Sequence, residues 1–218
     1  MRLILVRHGE SVGNSENRLQ GHTDYPLTEL GRQQAVLTAR RLEELGTHAV
    51  YTSPLLRAGD TARAICERLQ VQAQVMPDVS EYQFGEFSGT TYAELRQRFA
   101  NDPVWQAKPA SERIYPGEEG RDAFFARVTN SLWRVIDEHP AQTVAVVSHG
   151  GPIALFCQSV LGLPYKRPMP FAINNCSLTM IDVEDEPSKS REARTCLERL
   201  NDTCHLVVSS YVDVDTAV

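Results

Sequence analysis

Two histidines in this 218-residue chain sit where an apolar run meets glycine. Residues 3–6 (LILV) lead into Arg7, His8 and Gly9, then Glu10 and Ser11; residues 144–147 (VAVV) lead into Ser148, His149, Gly150 and Gly151. A neutral imidazole is a nucleophile, a base or a ligand near pH 7, and an arginine beside it offers a planar fork of donors to an anion. Continuous apolar runs of this length suit strands buried on both faces of a sheet. A buried strand has no packing need for a terminal imidazole. One such pair also looks like an ordinary surface turn, but two strands that deliver histidines to the same edge of a sheet read as halves of one site, and open α/β sheets bind ligands at that edge.

Two further stretches carry chemistry. Arg57 falls in the first turn of a helix expected at 55–69, where the helix dipole favours anions over cations; a phosphate shared with the free N–H groups of that turn would explain it. Residues 79–89 combine carboxylates and aromatics: Glu81, Tyr82, Phe84, Glu86 and Phe87. Transfer of a phosphoryl group to histidine needs a neutral imidazole aimed at phosphorus, cations around the equatorial oxygens and a proton donor for the leaving oxygen.

LVRHGES at the amino terminus, SPLLRAGDTA at 53–62, EYQFGEFSG at 81–89 and SHGG at 148–151 resemble, in order, the motifs of the histidine phosphatase superfamily, in the branch that includes cofactor-dependent phosphoglycerate mutase and many phosphatases. With the segments between them they cover residues 1 to about 205. The resemblance implies that His8 is the nucleophile and forms a phosphohistidine, that Arg7, Arg57 and His149 bind the phosphoryl oxygens, and that Glu81 protonates the leaving group and then deprotonates the attacking water. Glu86 is the alternative acid, and placement first in E-x-x-F-G favours Glu81. Asn14 and Gln20 match positions that touch the phosphate, with Gly21 and Gly150 completing the phosphate-binding set. Neither metal nor cofactor is implied.

Several residues depart from the family pattern. Asp60 stands in place of the usual Gln, Phe87-Ser88 in place of Trp-Glu, and Gly13 where a bulky residue is common; Glu118-Glu119 falls near a P-G-G-E-S position and reads equally as a surface turn. These bear on substrate selectivity more than on the reaction. The expected activity is hydrolysis of small phosphomonoesters such as phosphoserine, sugar phosphates, phosphoglycerate derivatives or α-ribazole phosphate. A mutase is the alternative, although mutases carry a longer segment between the acid and the second histidine than the one joining Glu81 to His149. An inactive phosphate-sensing or partner-binding module would need neither nucleophile nor acid.

The elements that must position these residues follow the same logic. Strands are expected at 3–6, 48–53, 71–76, 143–147, 177–183 and 194–200, and helices at 28–45, 55–69, 90–100, 121–138 and 151–161. Thr28 caps the first helix, with Leu30, Ala35, Leu37, Ala39 and Leu42 as its apolar stripe; Gly31 within it suggests close packing. Strands alternating with helices predict an α/β fold, a three-layer sandwich with a mostly parallel central sheet flanked by helices, phosphoglycerate mutase-like. A single domain over 1–218 is expected, long enough to bury about 70% of its unfolded surface. Residues 11–27 read as a loop over the site, 82–140 as a helical cap or flap and 206–218 as a polar tail.

Net charge of −6 and a pI near 5.5 argue against nucleic-acid or anionic-membrane surfaces. No apolar run has the length of a membrane span and no leader precedes the first strand, so a cytoplasmic protein is expected, as monomer or homodimer, with a small-molecule phosphate ester as its partner. Five scattered cysteines read as reduced thiols, mostly buried. No cysteine is followed six positions later by arginine, no Walker loop occurs, and the six histidines form no metal-ligand pattern. Asp213-Val214-Asp215-Thr216 mimics an aspartate-nucleophile motif but has no chain after it to build a site.

Overall fold

The computed structural model describes residues 1–108, 115–165, 170–184, 190–191 and 194–207. Six strands, β1 (Arg2–Arg7), β2 (Ala49–Thr52), β3 (Ala73–Val75), β4 (Thr143–Ser148), β5 (Leu178–Val183) and β6 (Thr195–Asp202), form one sheet in the order β3-β2-β4-β1-β5-β6. The first four strands pair in parallel, while β5 runs antiparallel to β1 and to β6. The mostly parallel sheet is therefore present, with an antiparallel edge.

Period-two alternation along the central strands divides the interior into two cores. Leu3 and Leu5 of β1 with Val144 and Val146 of β4 face the apolar sides of α6 (Arg121–Glu138) and α7 (Gly150–Val160). Ile4, Val6, Ala145 and Val147 face α2 (Glu29–Glu44) and α3 (Leu56–Leu69). All eight are fully buried, and burial contributes about 1.5–3 kcal/mol for each of the larger ones before conformational entropy is set against it. This continuous burial is why the two histidine-bearing runs show no polar alternation.

Helix α2 starts at Thr28, whose hydroxyl accepts from the Gly31 amide at 3.0 Å. Its buried face is Gly31, Ala35, Thr38, Ala39 and Leu42. Leu30, expected in the stripe, is 50% exposed, and glycine takes the inward position because a Cβ on Gly31 would lie 2.0 Å from the Glu10 carbonyl oxygen. Helix packing thus presses α2 directly onto the backbone after His8.

Two short helices occupy stretches whose composition reads as loop. Helix α1 (Val12–Ser15) forms because Ser11 and Asn14 make a reciprocal capping box. Helix α5 (Pro103–Ala107) is capped by Asp102, with proline at its first position. The 82–140 region divides in two. Helix α6 is a layer helix, while Phe87 and Leu95 of the segment containing α4 (Tyr92–Arg98) pack on Leu19 in a small separate core. Hydrogen bonds from Leu19 to Thr90 (2.8 Å) and from Gly89 to Leu19 (2.7 Å) tie that segment to the loop after β1. The residues at 208–218 of the expected tail lie outside the described residues. Cys157 and Cys176 are buried, whereas Cys196 and Cys204 are exposed near the edge strand β6, against the expectation for most thiols; no cysteine is in a disulfide.

Candidate active site

His8 is the first residue past β1, 2% exposed, and its ring is fixed from both sides. Nδ1 lies 2.7 Å from the Gly9 carbonyl oxygen. A carbonyl only accepts, so Nδ1 carries the proton and Nε2 keeps its lone pair. The Arg57 Nε–H donates to that Nε2 at 3.2 Å. Burial, reinforced by Arg7 and Arg57, holds the His8 imidazolium well below the ordinary range, so the ring is neutral at physiological pH.

Arg57 is 1% exposed and spends its other donors on the loop after β1: 2.8 Å to the Gly21 carbonyl and 3.0 Å to that of Thr23. Helix α3 has no side-chain cap of its own. Asp24 supplies one, accepting from the Leu56 amide at 2.8 Å. The first turn of α3 therefore pins residues 21–24, and burial lowers the Arg57 guanidinium to about 10, still charged at neutral pH.

Arg7 donates to the Ile173 carbonyl, and its buried Nε has no hydrogen-bond partner among the described residues. Burial lowers its basicity, with Glu81 opposing. His149 is fully buried; its Nε2 lies 2.8 Å from the Ser53 hydroxyl and its Nδ1 has no partner among the described residues. Burial, then Arg57, keeps this ring neutral too. The two imidazole centroids are 5.1 Å apart. Histidines at the ends of neighbouring parallel strands meet because Arg7 and Ser148 are register partners.

The Asn14 oxygen accepts from the Ser11 amide (3.1 Å) and from Asn175 (3.2 Å), and the Gln20 oxygen faces the Ser11 hydroxyl at 2.8 Å. With both oxygens engaged, each amide has its NH2 group to offer an anion. Gly21 adopts φ +52 beside Ser88, a conformation glycine takes without strain. At Gly150 a Cβ would sit at ordinary contact distance from Arg7. Gly151 is the more constrained of the pair: its amide donates to Glu81 Oε2 at 3.2 Å, and a Cβ there would lie 2.1 Å from Oε1.

Glu81 is held by four hydrogen bonds to three of its oxygens. Oε1 accepts from the Tyr82 amide at 2.8 Å, and the Glu81 carbonyl accepts from His22 (2.7 Å) and Arg127 (2.9 Å). Arg127, on α6, also donates to the carbonyls of Asp78 (2.7 Å) and Ser80 (2.8 Å) and pairs with Glu119 at 2.6 Å. Glu119 accepts from the Gln83 amide at 2.8 Å, so its carboxylate braces the Glu81 segment from behind.

These residues enclose a cavity of about 280 Å³ whose inner end is lined by Arg7, His8, Asn14, Gln20, Arg57 and Glu81 and whose further lining includes the aromatics Tyr82, Phe84, Tyr115 and Phe124. Gly21 also lines it; His149, Gly150 and Glu86 are not among its lining residues. Sequence reasoning singled out neither Ser53, Asn175 and Asp24 nor the Glu119–Arg127 pair as a brace. Ser53 opens the SPLLRAGDTA motif and was open to notice, whereas Asn175 and Arg127 have partners far away in the chain and no local signature. A neutral nucleophilic nitrogen with the guanidiniums of Arg7 and Arg57 and the Glu81 carboxylate, in a chamber that Arg18, Arg121 and Glu118 also line, makes a phosphoryl-transfer type of site.

The histidine phosphatase superfamily (branch 1) pattern matches residues 3–195, and the chain belongs to that family. It is 33% identical over 220 residues to phosphoserine phosphatase 1 of Hydrogenobacter thermophilus, covering all of both chains. It is 30% identical over 186 residues to the adenosylcobalamin/alpha-ribazole phosphatase of Escherichia coli, covering 85% of this chain and 92% of that one. A mycobacterial glucosyl-3-phosphoglycerate phosphatase solved with VO3 matches with a TM-score of 0.78 at 29% identity, covering 92% of this chain and 98% of that one.

Proposed function

We propose that this chain is a metal-independent phosphomonoesterase that hydrolyses small organic phosphates through a phosphohistidine on His8. The observation that carries the reading is the tautomer of His8: the Gly9 carbonyl holds the proton on Nδ1 and leaves Nε2 bare beside Arg57. Nucleophilic attack needs that lone pair.

In the first half-reaction Nε2 attacks phosphorus and the ester P–O bond breaks. Arg57 Nε–H turns from the lone pair to a phosphoryl oxygen, and Arg7, through its unpartnered Nε, takes another. The Asn14 and Gln20 amides add neutral donors. His149, its ring 5.1 Å from that of His8 and its Nδ1 without a partner among the described residues, completes the phosphoryl-binding set. Glu81 gives its proton to the departing alkoxide. In the second half-reaction the same carboxylate takes a proton from water as its oxygen attacks phosphorus and the P–N bond breaks, which returns His8 to its starting form.

Named phosphatases among the relatives that cover most of the chain support hydrolysis over mutase chemistry. No helix among the described residues is long and apolar enough to cross a membrane, and the acidic charge balance fits small-molecule work in the cytoplasm, without nucleic acid, by a monomer or homodimer. The test is phosphate release from a panel of phosphomonoesters in EDTA, with trapping of the phosphoenzyme by an alkaline detergent quench, which a P–N bond survives. Release and trapping support the reading. Transfer of the phosphoryl group only to a second substrate molecule would make it a mutase, and activity abolished by EDTA and restored by Mg²⁺ would overturn the assignment.

A further inference from the structure

The wall of the cavity formed by α7 carries a residue the reaction does not use. Gly151, Leu155 and Gln158 all line the cavity, and their i, i+4, i+7 spacing is one face of a helix. Gly151 marks the chemical end, since its amide holds Glu81. Gln158 is seven residues further, about 10 Å along a helix that rises ~1.5 Å per residue. It is 1% exposed, and its carboxamide oxygen has no hydrogen-bond partner among the described residues. Buried polar atoms are nearly always paired, and an unpaired carboxamide on a residue that lines a cavity is a group that a ligand atom can satisfy once the amide turns toward it.

We infer that Gln158 is a specificity-determining residue that hydrogen-bonds an uncharged polar group, a hydroxyl or an amide, at the far end of the substrate's alcohol. The inference rests on the phosphomonoesterase reading and extends it to the substrate class. A carboxamide is neutral and can present either oxygen or NH2, so it pairs with a neutral donor or acceptor and does not compensate a buried charge. Between the ester and Gln158 the α7 wall presents Leu155, with Tyr82 and Phe124 among the other lining residues, while Arg18, Glu118 and Arg121 also line the cavity; along α7 the middle of the alcohol meets apolar surface. The distance acts as a ruler. A two- or three-carbon alcohol ends short of Gln158, whereas a chain of about six carbons reaches it.

Matched pairs of phosphomonoesters test this. 6-Hydroxyhexyl phosphate and heptyl phosphate have the same length but end in hydroxyl and methyl; 2-hydroxyethyl phosphate and propyl phosphate repeat the comparison at a length that does not reach. For the native enzyme kcat/KM should favour the long hydroxyl ester over heptyl phosphate by roughly 10- to 100-fold, because the methyl leaves the carboxamide unpaired, and should differ little within the short pair. Gln158→Leu and the unbranched Gln158→Met should each erase the long-pair preference or reverse it in favour of heptyl. Two variants guard against one that fails to fold. A native enzyme indifferent to the long pair overturns the inference alone, as does a preference that survives in both variants. Failure to release phosphate from any of the four esters overturns the hydrolase reading and this inference with it.

Discussion

The inner and outer ends of the cavity are built by opposite means. At the inner end His8, Arg57 and His149 are at most 2% exposed, and His8 and Arg57 make hydrogen bonds to backbone carbonyls fixed by strand ends and helix turns. At the outer end the aromatics come from separate segments that pack on one another: Phe84 against Tyr82 and Tyr115, and Phe124 against Tyr82. Hydrogen bonds to backbone hold a charged group to one geometry, as transfer of a phosphoryl group demands. Ring contacts worth about 0.5–1.5 kcal/mol each tolerate exchange. The contrast implies that inner residues set the rate and outer residues set the choice of alcohol.

That division can be broken most directly at His8. His8→Ala should abolish both phosphate release and alkali-stable phosphoenzyme labelling; a variant with near-native turnover would end the inner-site reading. Next in size is Glu81→Gln. The general acid is worth on the order of 10²- to 10⁴-fold, so the phosphorylation step should slow by about that much for alkyl phosphates and far less for p-nitrophenyl phosphate, whose leaving group needs little help. Burst kinetics isolate the step, and equal losses on both esters would place the acid elsewhere.

The Glu119–Arg127 brace sharpens the comparison, because neither residue lines the cavity yet the pair holds the segment of Glu81, the proposed acid. Arg127→Met removes donors to three carbonyls around Glu81 and should lower kcat by roughly 10- to 100-fold with a smaller change in KM, the ratio between alkyl and p-nitrophenyl esters shifting as for Glu81→Gln. A loss confined to KM would make the pair part of the binding surface. Phe84→Ala, at the outer end, should raise KM several-fold for bulky esters and change kcat less, as steady-state kinetics would show.

The smallest effect is on stability. His8 and His149 are held neutral below the ordinary imidazole value of 6.5. Above pH 6.5 folded and unfolded chains bind the same number of protons at these sites. Below it the unfolded chain takes up protons that the folded chain refuses, so stability falls with falling pH. Tm should be lower at pH 5.5 than at pH 7.5, and the difference should shrink in His8→Asn. A pH-independent difference between the two proteins would show that the folded ring titrates normally.

How much was legible in the sequence follows from range. The two central strands and helices α2, α3 and α6 are marked by local periodicity and caps, and their bounds differ from the expected ones by a residue or so. Helix α1 was hidden because Asn and Ser read as loop composition until their side chains are seen to cap each other. Leu30 misled because helical spacing alone does not say which of two adjacent faces is inward, and the close approach to Glu10 reserved that face for Gly31.

By itself the amino-acid order determined which residues could do the chemistry, since apolar runs ending in Arg7-His8 and Ser148-His149 are written within a few positions each. Only the tertiary structure decided which nitrogen of His8 is bare, that the His149 ring lies 5.1 Å from that of His8, that Arg127 and Glu119 brace Glu81 in another segment, and that Gln158 lines the chamber with its carboxamide oxygen unpaired among the described residues. Those outcomes depend on contacts between residues tens of positions apart, and a hydrogen bond or a cavity wall exists only once folding has brought its two sides together.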